Sequence, residues 1–288
     1  MSPEIPHITA PEDEGLTIGT SPGDGRREGI VKARLVGVVL PILVFAIAIG
    51  LWELIVRVNG IEPFILPAPS LVISTLIKDW GTLSLSLLVT LRTMAIALLL
   101  ATLGGVGIAV IFAQSRLIER SLYPFAVILQ VTPIVAIAPL LLVYLDSGTA
   151  ILVCAFIVAF FPILSNTTLG LASTDPNLRD LFKLYGAGRW RELVLLRAPS
   201  ALPYFLGGVR IAGGLALIGA VVAEIAAGSA GHGSGLAYRI VESGYRLNIP
   251  RMFAALLLIS LTGIFIYAIL ALVSHLLLRR WHESALDR

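Results

Sequence analysis

Residues 87–113 read LLVTLRTMAIALLLATLGGVGIAVIFA, an apolar run in which Arg92 is the single ionisable side chain. A helix rises about 1.5 Å per residue, so a run of this length crosses the roughly 30 Å hydrocarbon core of a bilayer. The run is continuously apolar rather than alternating, which excludes the strands of an outer-membrane barrel. Five more runs share this character: Leu35–Val58, Leu122–Leu145, Thr149–Leu171, Leu202–Ala227 and Met252–Leu278. Of the 288 residues, 57% are hydrophobic and 14% charged, where a soluble domain carries about 25% charge. The mean hydropathy of +0.92 agrees. The expected fold is an all-α integral membrane protein with six transmembrane helices.

Residues 1–30 are rich in Pro, Gly, Asp and Glu and lack periodicity. They read as a disordered cytoplasmic tail rather than a cleaved leader, leaving 31–288 as the six-span domain. Basic residues then set the orientation. With the N-terminus inside, fourteen of the 21 Lys and Arg fall on the cytoplasmic side and five on the other, with Arg92 and Arg210 inside spans. Both termini are expected in the cytoplasm, in a bacterial inner membrane. The net charge of +3 calls for no nucleic-acid partner. One cysteine, Cys154, excludes an intrachain disulfide, and the four histidines are too dispersed to hold a metal.

The longest cytoplasmic connection, 172–201, reads ASTDPNLRDLFKLYGAGRWRELVLLRAPSA. Thr174 or Asp175 can cap a helix with Pro176 in its first turn, where a missing N–H is harmless. Leu178, Leu181, Phe182 and Leu184 recur at helical spacing among charges, and Gly186 and Gly188 end the helix. A second short helix, 189–196, is expected to stop before Pro199. An apolar stripe ringed by charge suits docking into another protein's groove; the competing reading is a helix pair resting on lipid headgroups.

This loop resembles the signature loop of binding-protein-dependent ABC importer permeases, in which a Glu-Ala-Ala triplet precedes a glycine and, further on, Ile-x-Leu-Pro. Aligned on the glycine, Gly186 takes its place and Asp180 that of the glutamate. Leu181 and Phe182 stand at the two alanines, while Leu196, Ala198 and Pro199 fall on the closing segment. The chain is most similar to the nitrate/sulfonate/taurine type. The matching pieces include Leu66-Pro67-Ala68-Pro69-Ser70, Thr132-Pro133-Ile134-Val135-Ala136, Tyr185-Gly186-Ala187-Gly188-Arg189-Trp190 and Gly207-Gly208-Val209-Arg210-Ile211-Ala212.

The resemblance implies a type I ABC importer permease architecture. It also implies coupling through the 172–201 loop to separate ABC ATPase subunits, a second permease copy as a homodimer, and a periplasmic solute-binding protein. The solute implied is a small anion of the sulfonate or nitrate kind, with a pyrimidine-type or other small organic precursor as the alternative. No cofactor is expected on the chain itself. Lys32, Lys78 and Lys183 are its only lysines and none stands in a Walker A sequence, so ATP and Mg are expected on the partner. No catalytic activity is expected of this chain. A secondary transporter, the rival class, would show internal repeats that this sequence lacks.

Inside the spans, polar residues are candidates for the solute route or its gate: Gln130, Thr132, Asn166 and Glu224. For the uncharged ones the bland alternative is hydrogen bonding between helices. Glu224 is costly in hydrocarbon and requires a partner from another span, from a second subunit, or from water. Gly231–Gly235 reads as a flexible external loop where a binding protein could dock.

Overall fold

The computed structural model describes residues 23–228 and 234–279, with side chains from residue 39 onward. The chain divides into two compact units between Leu54 and Ile55. The first contains most of α1 (Gly23–Val58). That helix begins inside the stretch read as a tail; residues 1–22 lie outside the described part. Leu40, Phe45 and Leu51 of α1 are each more than half exposed, as lipid-facing side chains are.

Among its described residues the second unit has helices as its only regular secondary structure. Its long helices are α3 (Trp80–Gln114), α6 (Ser147–Ala172), α9 (Ala198–Ala227) and α11 (Ile249–Leu278). Shorter ones are α2 (Pro69–Lys78), α4 (Arg116–Val131), α5 (Ile134–Tyr144), α7 (Pro176–Leu184), α8 (Arg189–Glu192) and α10 (Leu236–Tyr245). Asp146 starts α6 by accepting from the Thr149 amide at 2.9 Å and its hydroxyl at 2.8 Å, and these bonds hold the Asp146 carboxyl below its ordinary range. Among the described residues five helices are long and apolar enough to cross a bilayer.

The third expected span, Leu122–Leu145, is not one helix. It is the pair α4 and α5, bent by 96° at Thr132–Pro133. Proline supplies no N–H and biases the residue before it out of the helical region, and Thr132 is accordingly extended, with ψ 124°. The pair still runs from one end of the bundle to the other. Arg116 borders a cavity with Ala172 and Arg197, at the end where α6 finishes. Tyr144 leads through Leu145 and Asp146 into the beginning of α6, whose 26 residues extend about 39 Å. The expected six spans are therefore five continuous helices and one broken one.

The core lies where α6 is clasped by α3 and α9. Cys154, Ala155, Ala159 and Ile163 of α6 are fully buried, as are Ala97, Ala101 and Ala109 of α3 and Ala212, Ala216 and Ala220 of α9. Lipid tails are as apolar as leucine, so close backbone approach and dispersion must hold such helices together. At Gly208 an added Cβ would come within 2.9 Å of both the Asn166 Cβ and the Pro162 carbonyl oxygen.

Gly208→Ala should therefore lower the thermal unfolding midpoint in detergent, overpacking of this kind costing about 1–3 kcal/mol. The same change at Gly107 of α3, where a Cβ meets nothing within 4 Å, should be neutral or stabilising by up to ~1 kcal/mol. Equal midpoints for the two variants would contradict the α6–α9 contact described here.

Candidate functional site

The loop between α6 and α9 is built around two local devices. At its start the Asp175 carboxylate accepts from the Asn177 amide at 2.8 Å, capping α7 as the sequence suggests. At the end of α7, Gly186 takes a left-handed φ of +67°. Its amide donates to the Lys183 carbonyl at 2.9 Å, and the Ala187 amide donates to Phe182 at 2.9 Å. That bond pair is a Schellman ending, which favours glycine because a side chain at this φ is strained.

On α7 the Asp180 carboxylate accepts from Lys183 at 2.8 Å, both side chains being mostly exposed. The Lys183 bond and charge hold the Asp180 carboxyl below its ordinary range. Leu181 is 44% exposed, and Leu184 and Tyr185 84% each. Beside them lies a hollow of about 340 Å³ lined by Leu181, Phe182, Tyr185, Ala187, Arg191 and Leu195. The surface is apolar and uncovered, with Asp180, Lys183 and Arg191 at its margin.

The second helix does not stop before Pro199. α8 passes through a π turn, Leu193–Arg197, directly into α9. The wider turn shifts the hydrogen-bond frame so that the Ala198 amide reaches Leu193. Pro199 then falls in the first turn of α9, where its missing N–H costs little, and the Ser200 hydroxyl takes the Leu196 carbonyl at 2.9 Å. Leu196 is buried; it anchors the loop from within, whereas Asp180, Leu181, Phe182 and Gly186 belong to the outer side.

Three side chains that the sequence reading did not single out fix this loop to the bundle. Arg179 donates through Nε to Glu192 at 2.8 Å, closing α7 onto α8. Arg197 donates from Nε to the Leu171 carbonyl at 2.9 Å and from Nη1 to the Ala113 carbonyl at 2.8 Å. Those carbonyls belong to the last turns of α6 and α3, where helices lack internal donors and the helix dipole favours a cation. The only sequence signal was an arginine at the threshold of an apolar run.

The pathway candidates separate into different places. Gln130 and Thr132 line one cavity of about 200 Å³ beside the α4–α5 break, with Leu129, Ile157, Val158 and Leu215. Irregular backbone at membrane depth is tolerated where it is buried in protein or lines such a cavity. Asn166 instead donates its side-chain amide to the Pro162 carbonyl at 2.8 Å. Glu224 is 3% exposed near the far end of α9. It finds partners within the same chain. Thr90 of α3 donates to Oε1 at 2.8 Å, and the Ala237 amide donates to Oε2 at 3.0 Å. The Leu236 amide donates in turn to the Thr90 hydroxyl at 2.9 Å. Thus the first two amides of α10 close on a carboxylate–hydroxyl pair, an arrangement suited to a helix N-terminus. A Cβ at Gly235 would collide with the Glu224 carboxylate. Residues 229–233, most of the expected external loop, lie outside the described part.

Residues 101–281 match the family of binding-protein-dependent transport system inner membrane components. The chain is 34% identical over 243 residues to the riboflavin transport system permease protein of Chloroflexus aurantiacus, covering 81% of this chain and 86% of that one. It is 32% identical over 243 residues to the formylaminopyrimidine transport permease protein of Halalkalibacterium halodurans, with coverages of 83% and 94%. It is 28% identical over 226 residues to the nitrate import permease protein of Synechococcus elongatus, with coverages of 74% and 80%. The chain belongs to this family of ABC importer permeases: it is a multi-pass membrane transport subunit and not a catalytic enzyme.

Glu224→Gln would put an amide NH₂ in place of one of the two accepting oxygens, leaving a donor facing a donor. An unsatisfied buried polar group costs about 1–3 kcal/mol, so hydrogen exchange at the Leu236 and Ala237 amides should rise by about ten-fold or more. Unchanged exchange at both would show that Glu224 does not hold α10.

Proposed function

We propose that the exposed side of α7 is where this permease docks a separate ABC ATPase, and that the loop-bearing end of the bundle faces the cytoplasm. The observation that carries the reading is the uncovered apolar surface of Leu181, Leu184 and Tyr185 beside the hollow at Phe182, on a loop that Arg197 ties to two spans. A side chain pulled by a partner at α7 moves against Arg179 and Arg197 before it moves anything else. ATP and Mg are held by the partner in this reading, and the fourteen-to-five distribution of Lys and Arg supports the orientation.

A second copy of the chain completes the pathway in this proposal. Gly207 and Gly214 of α9 lie two turns apart, and a Cβ at either would meet nothing within 4 Å. Ile211 and Ile218, 53% and 54% exposed, continue the same face, so another helix can approach the backbone there. A periplasmic binding protein delivers the solute to the opposite end, where α2 and α10 lie.

The solute in our reading is a small anion of the sulfonate or nitrate kind. A pyrimidine-type organic solute is favoured by one observation, the uncharged lining of the cavity at Gln130 and Thr132. The names of the riboflavin and formylaminopyrimidine relatives point the same way.

The test is co-purification of the partner ATPase with the tagged chain, in wild type and in Gly186→Trp and Asp180→Lys. Tryptophan at a positive φ adds strain of about 1–2 kcal/mol and a bulky ring at the docking side, while lysine at 180 faces Lys183 with like charge. Each variant should retain at least ten-fold less ATPase while extracting as a folded, monodisperse protein. Full retention by both would remove α7 from the interface.

A further inference from the structure

A second, larger cavity of about 540 Å³ opens at the loop-bearing end, between the ends of α3 and α6, the start of α4, and α7. Four guanidiniums border it, those of Arg116, Arg120, Arg179 and Arg197, against the single carboxylate of Glu119. Arg179 is already paired with Glu192, and Arg197 is bonded to backbone carbonyls. Arg116 and Arg120 make no ion pair with any described residue, and both are exposed. Deeper in, Tyr123 shares a hydrogen bond with Ser165 at 3.2 Å, and the shielded Thr168 Oγ1 lining the same wall has no hydrogen-bond partner among the described residues. A concave site with unspent guanidiniums at its mouth and an unspent hydroxyl inside is built for an oxyanion, which arginine engages through two parallel N–H bonds.

The setting says which oxyanion. α4 carries Arg116, Arg120 and Tyr123 on the flank facing the cavity. Its other flank bears Leu117, Leu122 and Phe125, which are 77%, 50% and 67% exposed. Arginines in the first turns of α4, beside the exposed apolar side chain of Leu117, put the start of that helix where hydrocarbon gives way to headgroups. Basic pockets between helices at that level accept lipid phosphates.

We propose that this cavity is a phosphate-binding site occupied by the phosphodiester headgroup of an anionic phospholipid, held chiefly by Arg116 and Arg120 with its acyl chains along Leu117 and Phe125. The ligand fills the gap between α4 and the Arg179–Arg197 corner, so it braces the loop that the bundle presents. The site uses none of the side chains on the outer face of α7, and its failure would leave the ATPase-docking proposal untouched.

The test is thermal unfolding of the delipidated full chain in detergent, titrated separately with dioleoylphosphatidylglycerol, dioleoylphosphatidylcholine and inorganic phosphate. Wild type is compared with the double variant Arg116→Gln, Arg120→Gln. Because both side chains are exposed and unpaired, the midpoints without ligand should coincide; the single variant Arg120→Gln serves if they do not. Phosphatidylglycerol should raise the wild-type midpoint at a concentration about ten-fold or more below that needed for phosphatidylcholine, and the preference should vanish in the variant. If inorganic phosphate alone reproduces the shift in wild type and not in the variant, the site stands with a free phosphate as its source. If no probe distinguishes wild type from variant, the proposal is wrong.

Discussion

Arg197 sits where three helices would otherwise part. Its guanidinium joins the π turn ahead of α9 to the Leu171 carbonyl of α6 and the Ala113 carbonyl of α3. The carbonyls of a helix's last turn have no internal donors, and at a membrane boundary water reaches them only in part. One planar cation with several donors satisfies two such ends at once, which a lysine could not do with the same geometry. The loop thus has a fixed base, and α7 stands away from the bundle rather than collapsing its apolar side chains onto it. Arg179, bonded to Glu192, keeps the turn at Gly186 from opening.

At the other end of α9 the constraint is of the opposite sign. There the buried group is an acid, and the donors come to it: the Thr90 hydroxyl and the leading amide pair of α10. The absence of a side chain at Gly235 lets the α10 backbone reach the carboxylate. Arg239 extends the attachment by donating to Ser86 at 2.9 Å and pairing with Glu242 at 2.8 Å; this pairing holds the Glu242 carboxyl below its ordinary range. α9 therefore runs between two polar fastenings, Arg197 at one end and Glu224 at the other, with a glycine- and alanine-lined contact to α6 between them.

Much of this was legible in the sequence. Apolar length alone gives the long helices, since nothing but a membrane span uses so many apolar residues in a row. The capping of α7 by Asp175 and its ending at Gly186 follow from residues whose conformational preferences are strong and local. Two boundaries at prolines were misread. Thr132-Pro133 lies inside an apolar run, so hydropathy does not register the bend. Pro199 reads as a stop, yet a π turn places it in the first turn of the following helix, where proline is at ease.

Polar contacts inside the bundle were legible as demands and not as solutions. A carboxylate in hydrocarbon must be met by donors, so the need for a partner to Glu224 follows from the sequence. Its identity does not, because Thr90 lies 134 residues away in the chain and a threonine in a span more commonly bonds its own helix, as Thr102 and Thr262 do here. Nor could composition distinguish Asn166, which spends its amide on the Pro162 carbonyl, from Gln130, which lines a cavity. In water a misplaced polar side chain can turn outward; in lipid it must find a partner that only the folded arrangement supplies.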